Sequence, residues 1–220
     1  MTGPRAAGAQ LSPYRQAQAA GQDALRRTVL DAAGQLLVGE GPQALTMRRV
    51  AGEIGASTTV LYTMFGGKDG LAEALYREGF ARLRRRLVAA VEAAGDDPGE
   101  RLAATARAYR ENALAERAYY GVMFGRAIPG FTPSAEAVAE SRRSFDVLSD
   151  AVADLGGSAG DGVSATDLLW AVAHGVVSFE LAGHYPDEAT AAATYRTALT
   201  AISTHLGLRP AAAPASRPGG

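Results

Sequence analysis

Hydroxyl-bearing side chains are concentrated in one short segment near the start of the chain, which has the sequence TTVLYTMF over residues 58–65. At about 100° per residue, a helix would place the hydroxyl-bearing and the apolar residues on opposite sides. The first side would carry Thr58, Thr59, Tyr62 and Thr63, and the second Val60, Leu61, Met64 and Phe65. Exposed hydroxyls can donate to and accept from base edges and phosphates, and threonine methyls can touch thymine methyls. The segment therefore predicts a helix that reads DNA.

Two predicted helices come before this segment and would position it. The first runs from about Gln22 to Val38, and the second begins at Thr46 and ends at Gly55, which can turn the chain in the left-handed conformation. Ser57 then caps the third helix, so a three-residue turn joins the second and third helices, as in a helix-turn-helix. Helix N-termini attract phosphate, which makes Thr46 and Ser57 candidate phosphate contacts. For each of these hydroxyls taken alone, a simple capping role is the favoured interpretation.

The segment from about Ala24 to Leu75 resembles the DNA-binding domain of TetR-family transcriptional regulators. Four stretches carry the resemblance: TMRRVA at 46–51, GAS at 55–57, LYTMF at 61–65 and KDGL at 68–71. It implies an all-helical homodimer with a three-helix head, a long connecting fourth helix and a ligand-binding body. Two residues depart from the usual pattern: Met64 stands where many members have histidine, and Gly52 lies inside the second helix, where glycine costs about 1 kcal/mol relative to alanine.

The resemblance also implies roles for single residues. Thr46, Tyr62 and Lys68 would contact phosphates, and Thr58 and Thr59 would face bases. Arg48 and Thr63 would supply further contacts. With the cap of the third helix included, the predicted DNA-binding residues are Thr46, Arg48, Ser57, Thr58, Thr59, Tyr62, Thr63 and Lys68.

The distribution of charge agrees with this interpretation, although the formal net charge is only −1. Residues 1–86 carry twelve Lys/Arg and seven Asp/Glu, whereas residues 87–220 carry ten and sixteen. A basic head on an acidic body is typical of a DNA-binding domain joined to a domain that does not bind DNA. The absence of cysteine excludes disulfides and thiolate zinc sites. Because no apolar run is long enough for a membrane span or a signal peptide, we expect a cytoplasmic protein.

Composition divides the chain into four predicted regions. Residues 1–20 and 207–220 are rich in Gly, Ala and Pro and are expected to be a disordered arm and tail. Between them, residues 21–67 are the predicted helix-turn-helix domain and residues 68–206 the ligand-binding and dimerisation domain. The fourth helix is expected over about 68–94, and the later ones over about 99–115, 117–126, 134–155, 163–183 and 187–206. The predicted fold class is therefore all-α, with about nine helices.

The last two predicted helices favour a dimer interface. The helix over 163–183 has only Asp167 and Glu180 as charged residues, which predicts burial on several sides. Small residues recur along it at Ala171, Gly175, Ser178 and Ala182, and the last helix carries an apolar stripe of Leu199, Ile202 and Leu206. We expect an isologous interface built from these two helices of each protomer. The sequences WAVAHG at 170–175 and MFGR at 123–126 are similar to a Trp-His-Gly type of TetR C-terminal domain.

Aromatic residues lie mostly in the body, where they would build a mainly apolar pocket for an unknown small-molecule effector. His174 and Glu180 could orient the ligand. The candidate ligand-binding residues are Tyr109, Phe124, Trp170, His174 and Phe179. Single aromatics at helical spacing are usually core residues and a single histidine is usually a hydrogen-bonded core residue, so a purely structural role for each remains open.

No motif in the sequence favours an enzyme. The three histidines, His174, His184 and His205, are ten and twenty-one residues apart, which is not a metal-ligand spacing. The sequence GGK at 66–68 lacks the spacing and the preceding strand of a phosphate-binding loop. We therefore expect no catalytic residue, metal or cofactor.

The sequence predicts a sequence-specific DNA-binding regulator, in the form of a homodimeric repressor that a small apolar ligand releases from a palindromic operator. The alternative is a small-molecule-binding dimeric module whose head does not read an operator. An unrecognised helical enzyme is the third and least favoured possibility, because a catalytic constellation is missing.

Overall fold

The computed structural model of the chain describes residues 12–125, 127–156 and 164–208. These residues form nine α-helices and one short 3-10 helix (Pro42–Ala44), and they contain no strand, so the predicted all-α fold is confirmed. The helices are α1 (Pro13–Glu40), α2 (Met47–Glu53), α3 (Thr58–Phe65), α4 (Lys68–Ala93), α5 (Pro98–Ala115), α6 (Arg117–Phe124), α7 (Ala135–Ala153), α8 (Ala165–Leu181) and α9 (Glu188–His205). Within the described part of the chain, no helix is both long and apolar enough to cross a membrane.

Contacts divide the chain into two compact units, residues 1–74 and residues 75–220, which we call the head and the body. This boundary lies inside α4 and not at residue 67, where the sequence suggested it. The first turn of α4 belongs to the head because Leu71, Ala72 and Ala74 are buried there.

The head forms because α1, α2 and α3 each bury one apolar face in a common core. Val29, Val50 and Leu61, one from each helix, are at most 1% exposed. The predicted caps are present: the side chains of Thr46 and Ser57 accept hydrogen bonds from the N–H groups three residues later, at 3.1 and 3.4 Å. The core thus leaves the opposite faces of these short helices in solvent.

Helix α1 begins earlier than the sequence suggested. Ser12 caps it by accepting from the N–H of Arg15, and Pro13 fills the first turn, where a missing N–H costs nothing. The prediction of a disordered arm over residues 1–20 is therefore wrong for residues 13–20, while residues 1–11 lie outside the described residues. The composition was misleading because Ala and Gln are also good helix formers.

A tight turn joins α3 to α4. Gly66 and Gly67 have φ values of 73° and 154°, which only glycine adopts without strain. Gly70, in the first turn of α4, lies so close to α3 that a Cβ atom there would be 1.8 Å from the carbonyl oxygen of Phe65. The end of α3 and the start of α4 are therefore fixed to each other by backbone contact.

The body contains α4 from Leu75 onward together with α5 to α9. One of its cores joins Leu102, Val152, Leu169 and Leu208, which are at most 5% exposed. The burial of Leu208 corrects the predicted disordered tail over 207–220 at its first residues, because Gly207 turns the chain at φ 71° and folds Leu208 back onto this core. Residues 209–220, and the predicted start of a helix at residue 163, lie outside the described residues.

Candidate nucleic-acid interface and ligand cavity

The face that α3 leaves in solvent carries Thr59, Val60, Tyr62 and Thr63. Tyr62 is 54% exposed and Val60 38%, whereas Leu61 and Phe65 are buried against the head core. One expectation from the sequence is wrong: Val60 does not pack with the apolar side. Thr58, at the start of α3, is partly exposed. Val60 lies about 100° around α3 from the buried Leu61, on the side that turns away from the head core.

Some hydroxyls on or beside this face are already hydrogen-bonded within the chain, and others are not. The Thr63 hydroxyl donates to the carbonyl of Thr59 at 2.9 Å, and Ser57 is occupied as a cap. Among the described residues, the Thr59 and Tyr62 hydroxyls have no hydrogen-bond partner. These two groups are therefore free to bond to another molecule, and the hydroxyl of the partly exposed Thr58 likewise has no partner among the described residues.

Two adjacent arginines on α2 have different surroundings. The Arg49 guanidinium is held by Glu40 and by Glu53, each at 2.6 Å, and these hydrogen bonds raise the pKa of Arg49. Arg48 is exposed and has no acidic partner within the described residues. Lys68 is likewise exposed, at the first residue of α4, and Thr46 is exposed at the start of α2. The predicted contacts thus lie at helix N-termini and on the open face of α3.

In the body, a hydrogen-bonded cluster surrounds His174, which is half-buried on α8. Its Nδ1 lies 2.8 Å from the Tyr120 hydroxyl and 3.1 Å from that of Tyr109. Ser178 completes the set, which we call the His174 cluster, at 3.2 Å from the Tyr120 hydroxyl. Burial lowers the pKa of His174 and raises the pKa values of Tyr109 and Tyr120. The neutral ring and the two protonated phenols therefore satisfy one another.

Aromatic rings pack around this cluster. Trp170 stacks on the His174 ring with centroids 4.9 Å apart, and Phe124 meets that ring edge-on at the same distance. The Trp170 Nε1 is buried and has no hydrogen-bond partner in the described part of the chain. A buried donor left in this state costs about 1–3 kcal/mol, which is recovered if an acceptor reaches it.

A buried ion pair joins α5 to α8. The Arg110 Nε lies 2.8 Å from one Glu180 carboxylate oxygen, and a second guanidinium nitrogen bonds to the other. The side chains are only 15% and 8% exposed, and the hydrogen bonds raise the pKa of Arg110. The Glu180 carboxylate is therefore already paired, which corrects the expectation that it orients a ligand.

An apolar cavity of about 260 Å³ lies within the body, between α4, α5, α7, α8 and α9. Leucines form much of its wall, with Leu102 and Leu169 almost fully buried. Of the predicted ligand-binding residues, Tyr109 and Trp170 line this cavity. Phe124 and His174 belong instead to the packed aromatic cluster, and Phe179 lies outside, 59% exposed and in edge contact with His184.

Sequence reasoning missed one wall of this cavity, which α9 supplies. Arg196, Leu199, Thr200 and Ser203 all line it. Their i, i+3, i+4, i+7 spacing was the available signal, but the stripe mixes polar and apolar residues and so does not stand out as an apolar pattern.

Small side chains occupy much of the outer face of α8. Ala171, Gly175 and Ala182 are exposed, and a Cβ atom added at Gly175 would meet nothing within 4 Å. Two of the residue sets expected at the dimer interface also contact the protomer itself, and the interface stays a prediction. Ser178 turns inward to Tyr120, and the α9 stripe of Leu199, Ile202 and Leu206 packs on the protomer's own core.

A head with a helix-turn-helix and a helical body with an apolar cavity define the class of one-component DNA-binding regulators. A family model described as bacterial regulatory proteins of the TetR family matches residues 29–75, and a second, described as a tetracyclin repressor-like C-terminal domain, matches residues 102–202. The chain belongs to the TetR family of transcriptional regulators. Membership implies a DNA-binding transcriptional regulator. The Trp-His-Gly subtype suggested for the body stays a prediction.

Solved structures of similar proteins agree with this assignment. The regulatory protein SCO4313 is 26% identical, with a TM-score of 0.70 over 82% of this chain and 96% of its own. A protein of unknown function from Rhodococcus sp. RHA1 is 30% identical, with a TM-score of 0.68 over 83% of this chain and 95% of its own. The TetR transcriptional regulator SCO0520 from Streptomyces coelicolor is 26% identical, with a TM-score of 0.53 over 85% and 99%. No curated protein sequence matches the chain significantly.

Proposed function

We propose that this protein is a homodimeric repressor that binds a palindromic operator through α3 and is released when an apolar effector enters the body. The observation that carries the proposal is the open face of α3, where the Thr59 and Tyr62 hydroxyls are free. Free hydroxyls beside an exposed valine suit base edges and thymine methyls in the major groove. Arg48, Lys68, Thr46 and Ser57 would contact phosphates on either side.

We place the dimer contact on the outer face of α8. A strip with alanines, an exposed phenylalanine and Gly175 allows two helices to approach closely, and an isologous contact would present two copies of α3 to successive major grooves. Gly175→Arg should therefore give a monomer in light scattering. Ala139→Arg, which places the same side chain on the exposed surface of α7, should leave the dimer intact.

Release requires an effector that binds better to a form of the dimer that cannot engage DNA. The cavity in the body is the site we assign to it, because its walls are apolar and it is of nearly the size of known ligand pockets, roughly 300 Å³ and upward.

Selection of bound sequences from a random duplex library, followed by gel shifts with the full chain, tests DNA reading directly. We expect an inverted repeat, and we expect Thr59→Ala with Tyr62→Phe to abolish the preference for it over competitor DNA. The control carries the same two changes in the body, Thr132→Ala with Tyr185→Phe, and should bind as the parent does. Recovery of no preferred sequence would instead favour a ligand-binding dimeric module without operator reading.

A further inference from the structure

The mouth of the cavity is positively charged. Of the residues that line it, three are exposed to solvent: Arg107, Arg196 and Thr200. No Asp or Glu belongs to the described lining. The cavity therefore has an apolar interior and a solvent edge that carries two guanidinium groups and a hydroxyl.

These guanidinium groups are available to a ligand. Arg107 lies 3.9 Å from the Glu100 carboxylate, at the limit of an ion pair, and its side chain is 60% exposed. Arg196 has no acidic partner in the described part of the chain. This contrasts with Arg110, one turn further along α5 from Arg107, whose charge is neutralised by Glu180. The body thus pairs its inner arginine fully, whereas at the cavity edge Arg107 is held only by the long contact to Glu100 and Arg196 has no acidic partner among the described residues.

The polar groups on the α9 wall lie in one line. Arg196, Thr200 and Ser203 follow at i, i+4 and i+7, so they form a strip from the solvent edge toward the interior. The Ser203 residue is 5% exposed and its hydroxyl has no hydrogen-bond partner among the described residues. The remaining walls are mainly leucine, alanine and aromatic side chains, and the hydroxyls of Thr105, Ser144 and Tyr195 among them already donate to backbone carbonyls.

We infer that the effector is an amphipathic carboxylate: a compact apolar body that fills the cavity, with one carboxylate that bonds to Arg196 and Arg107 at its edge. This inference rests on the proposed function, because it names the chemical class of the effector. Guanidinium groups bind carboxylates with charge-assisted hydrogen bonds, which are about twice as strong as neutral ones. A neutral molecule of the same shape gains only the apolar contacts, and a cation is repelled.

Three eight-carbon probes separate these contributions: octanoate, 1-octanol and octylammonium. Trp170 is the only tryptophan and lines the cavity, so its fluorescence reports binding to the full chain without DNA. We expect octanoate to bind about tenfold more tightly than 1-octanol, and octylammonium more weakly than either. Equal binding of octanoate and 1-octanol, or binding of none of the three, overturns the inference.

Matched variants test whether Arg196 binds the carboxylate. Arg196→Gln should weaken octanoate about tenfold and leave 1-octanol within twofold, which also shows that the variant is folded. Arg143→Gln, which changes an exposed arginine on α7 away from the cavity, should alter the affinity for neither octanoate nor 1-octanol. Ala103→Phe, which fills the cavity, should abolish binding of both probes. If Arg196→Gln behaves as Arg143→Gln does, or if octanoate still binds to Ala103→Phe, the carboxylate site is not this one.

Gel shifts on the same preparations keep the two proposals apart. If the parent chain prefers no DNA sequence but binds octanoate through Arg196, the repressor proposal fails and the cavity assignment stands. If it binds an operator but shows no preference for octanoate, only the effector class is wrong.

Discussion

The head and the body treat their polar side chains in opposite ways. In the head, the hydroxyls of Thr59 and Tyr62 and the charge of Arg48 face solvent without partners among the described residues. In the body, the polar groups of Tyr109, His174 and Arg110 are hydrogen-bonded to one another or to an ion-pair partner. A group that must bind DNA has to stay free, whereas most groups inside a helical bundle are paired because an unpaired buried polar atom costs about 1–3 kcal/mol. The Trp170 Nε1 and the Ser203 hydroxyl are the exceptions described above, and both residues line the cavity.

The largest effect should come from separating the buried ion pair of the body. Arg110→Met leaves the Glu180 carboxylate buried without its partner, and we expect the free energy of unfolding to fall by about 3–5 kcal/mol. Thermal unfolding followed by circular dichroism measures this loss. The double variant Arg110→Met with Glu180→Leu should recover most of it, because both charges are then gone. A loss below about 1 kcal/mol, no larger than for Arg143→Met, would show that the pair is not effectively buried.

A smaller change in stability is expected in the head. Two helical glycines there, Gly52 in α2 and Gly70 in α4, differ in whether a Cβ atom would have room. Gly70→Ala should destabilise the head by about 1–3 kcal/mol and weaken DNA binding, since its Cβ would lie 1.8 Å from the Phe65 oxygen. Gly52→Ala should stabilise the head by about 0.5–1 kcal/mol, because its Cβ meets nothing within 4 Å. Hydrogen exchange of the head amides checks both. Equal effects of the two changes would contradict the close approach of α3 and α4.

Within the head, Arg48 and Arg49 of α2 should differ in their contribution to DNA affinity and to its salt dependence. Arg48→Gln should remove one phosphate contact and lower the slope of log K against log salt by about 1, with a few-fold loss of affinity. Arg49→Gln should leave that slope unchanged, because Glu40 and Glu53 already hold the guanidinium. Fluorescence anisotropy with labelled operator DNA at several salt concentrations provides the measurement. A larger change for Arg49 than for Arg48 would reverse the assignment.

The smallest expected effect is on how the stability of the body depends on pH. Burial lowers the pKa of His174 below its usual value of 6.5, so the unfolded chain takes up a proton there before the folded body does. The free energy of unfolding should therefore fall as the pH drops below about 6.5 and should be largest above it. His174→Gln should flatten this dependence between pH 5 and 7, as denaturant titrations at each pH would reveal. The exposed His205→Gln should not, and a flattening of equal size there would remove His174 as the cause.

The contrast between the two regions also explains what could be predicted from the sequence. The helix-turn-helix was predictable because its signals are local: a cap at Ser57, glycines at the turns and an apolar stripe within each short helix. The same local logic located α5 to α9 within a few residues. Where the expected face of α3 was wrong, at Val60, the error lay in dividing eight residues into two sides when the core takes only Leu61 and Phe65.

The candidate ligand site was harder because its residues depend on distant partners. The Glu180 carboxylate is paired with Arg110, which lies seventy residues earlier in the chain. The His174 ring is hydrogen-bonded to tyrosines more than fifty residues away. Phe179 shares the apolar character of core residues yet lies on the outer face of α8. Such pairings depend on how the helices pack, which the periodicity of a single helix does not encode.

The absence of a side chain at Gly70 has a mechanical consequence. The backbone of α4 rests directly on the Phe65 carbonyl, so the end of α3 and the first turn of α4 are in backbone contact. We expect a rotation of that turn to be passed on to α3, because the close backbone contact leaves little room to absorb it. Any residue larger than glycine at position 70 would have to push α3 and α4 apart, because it would place a carbon where the Phe65 oxygen lies.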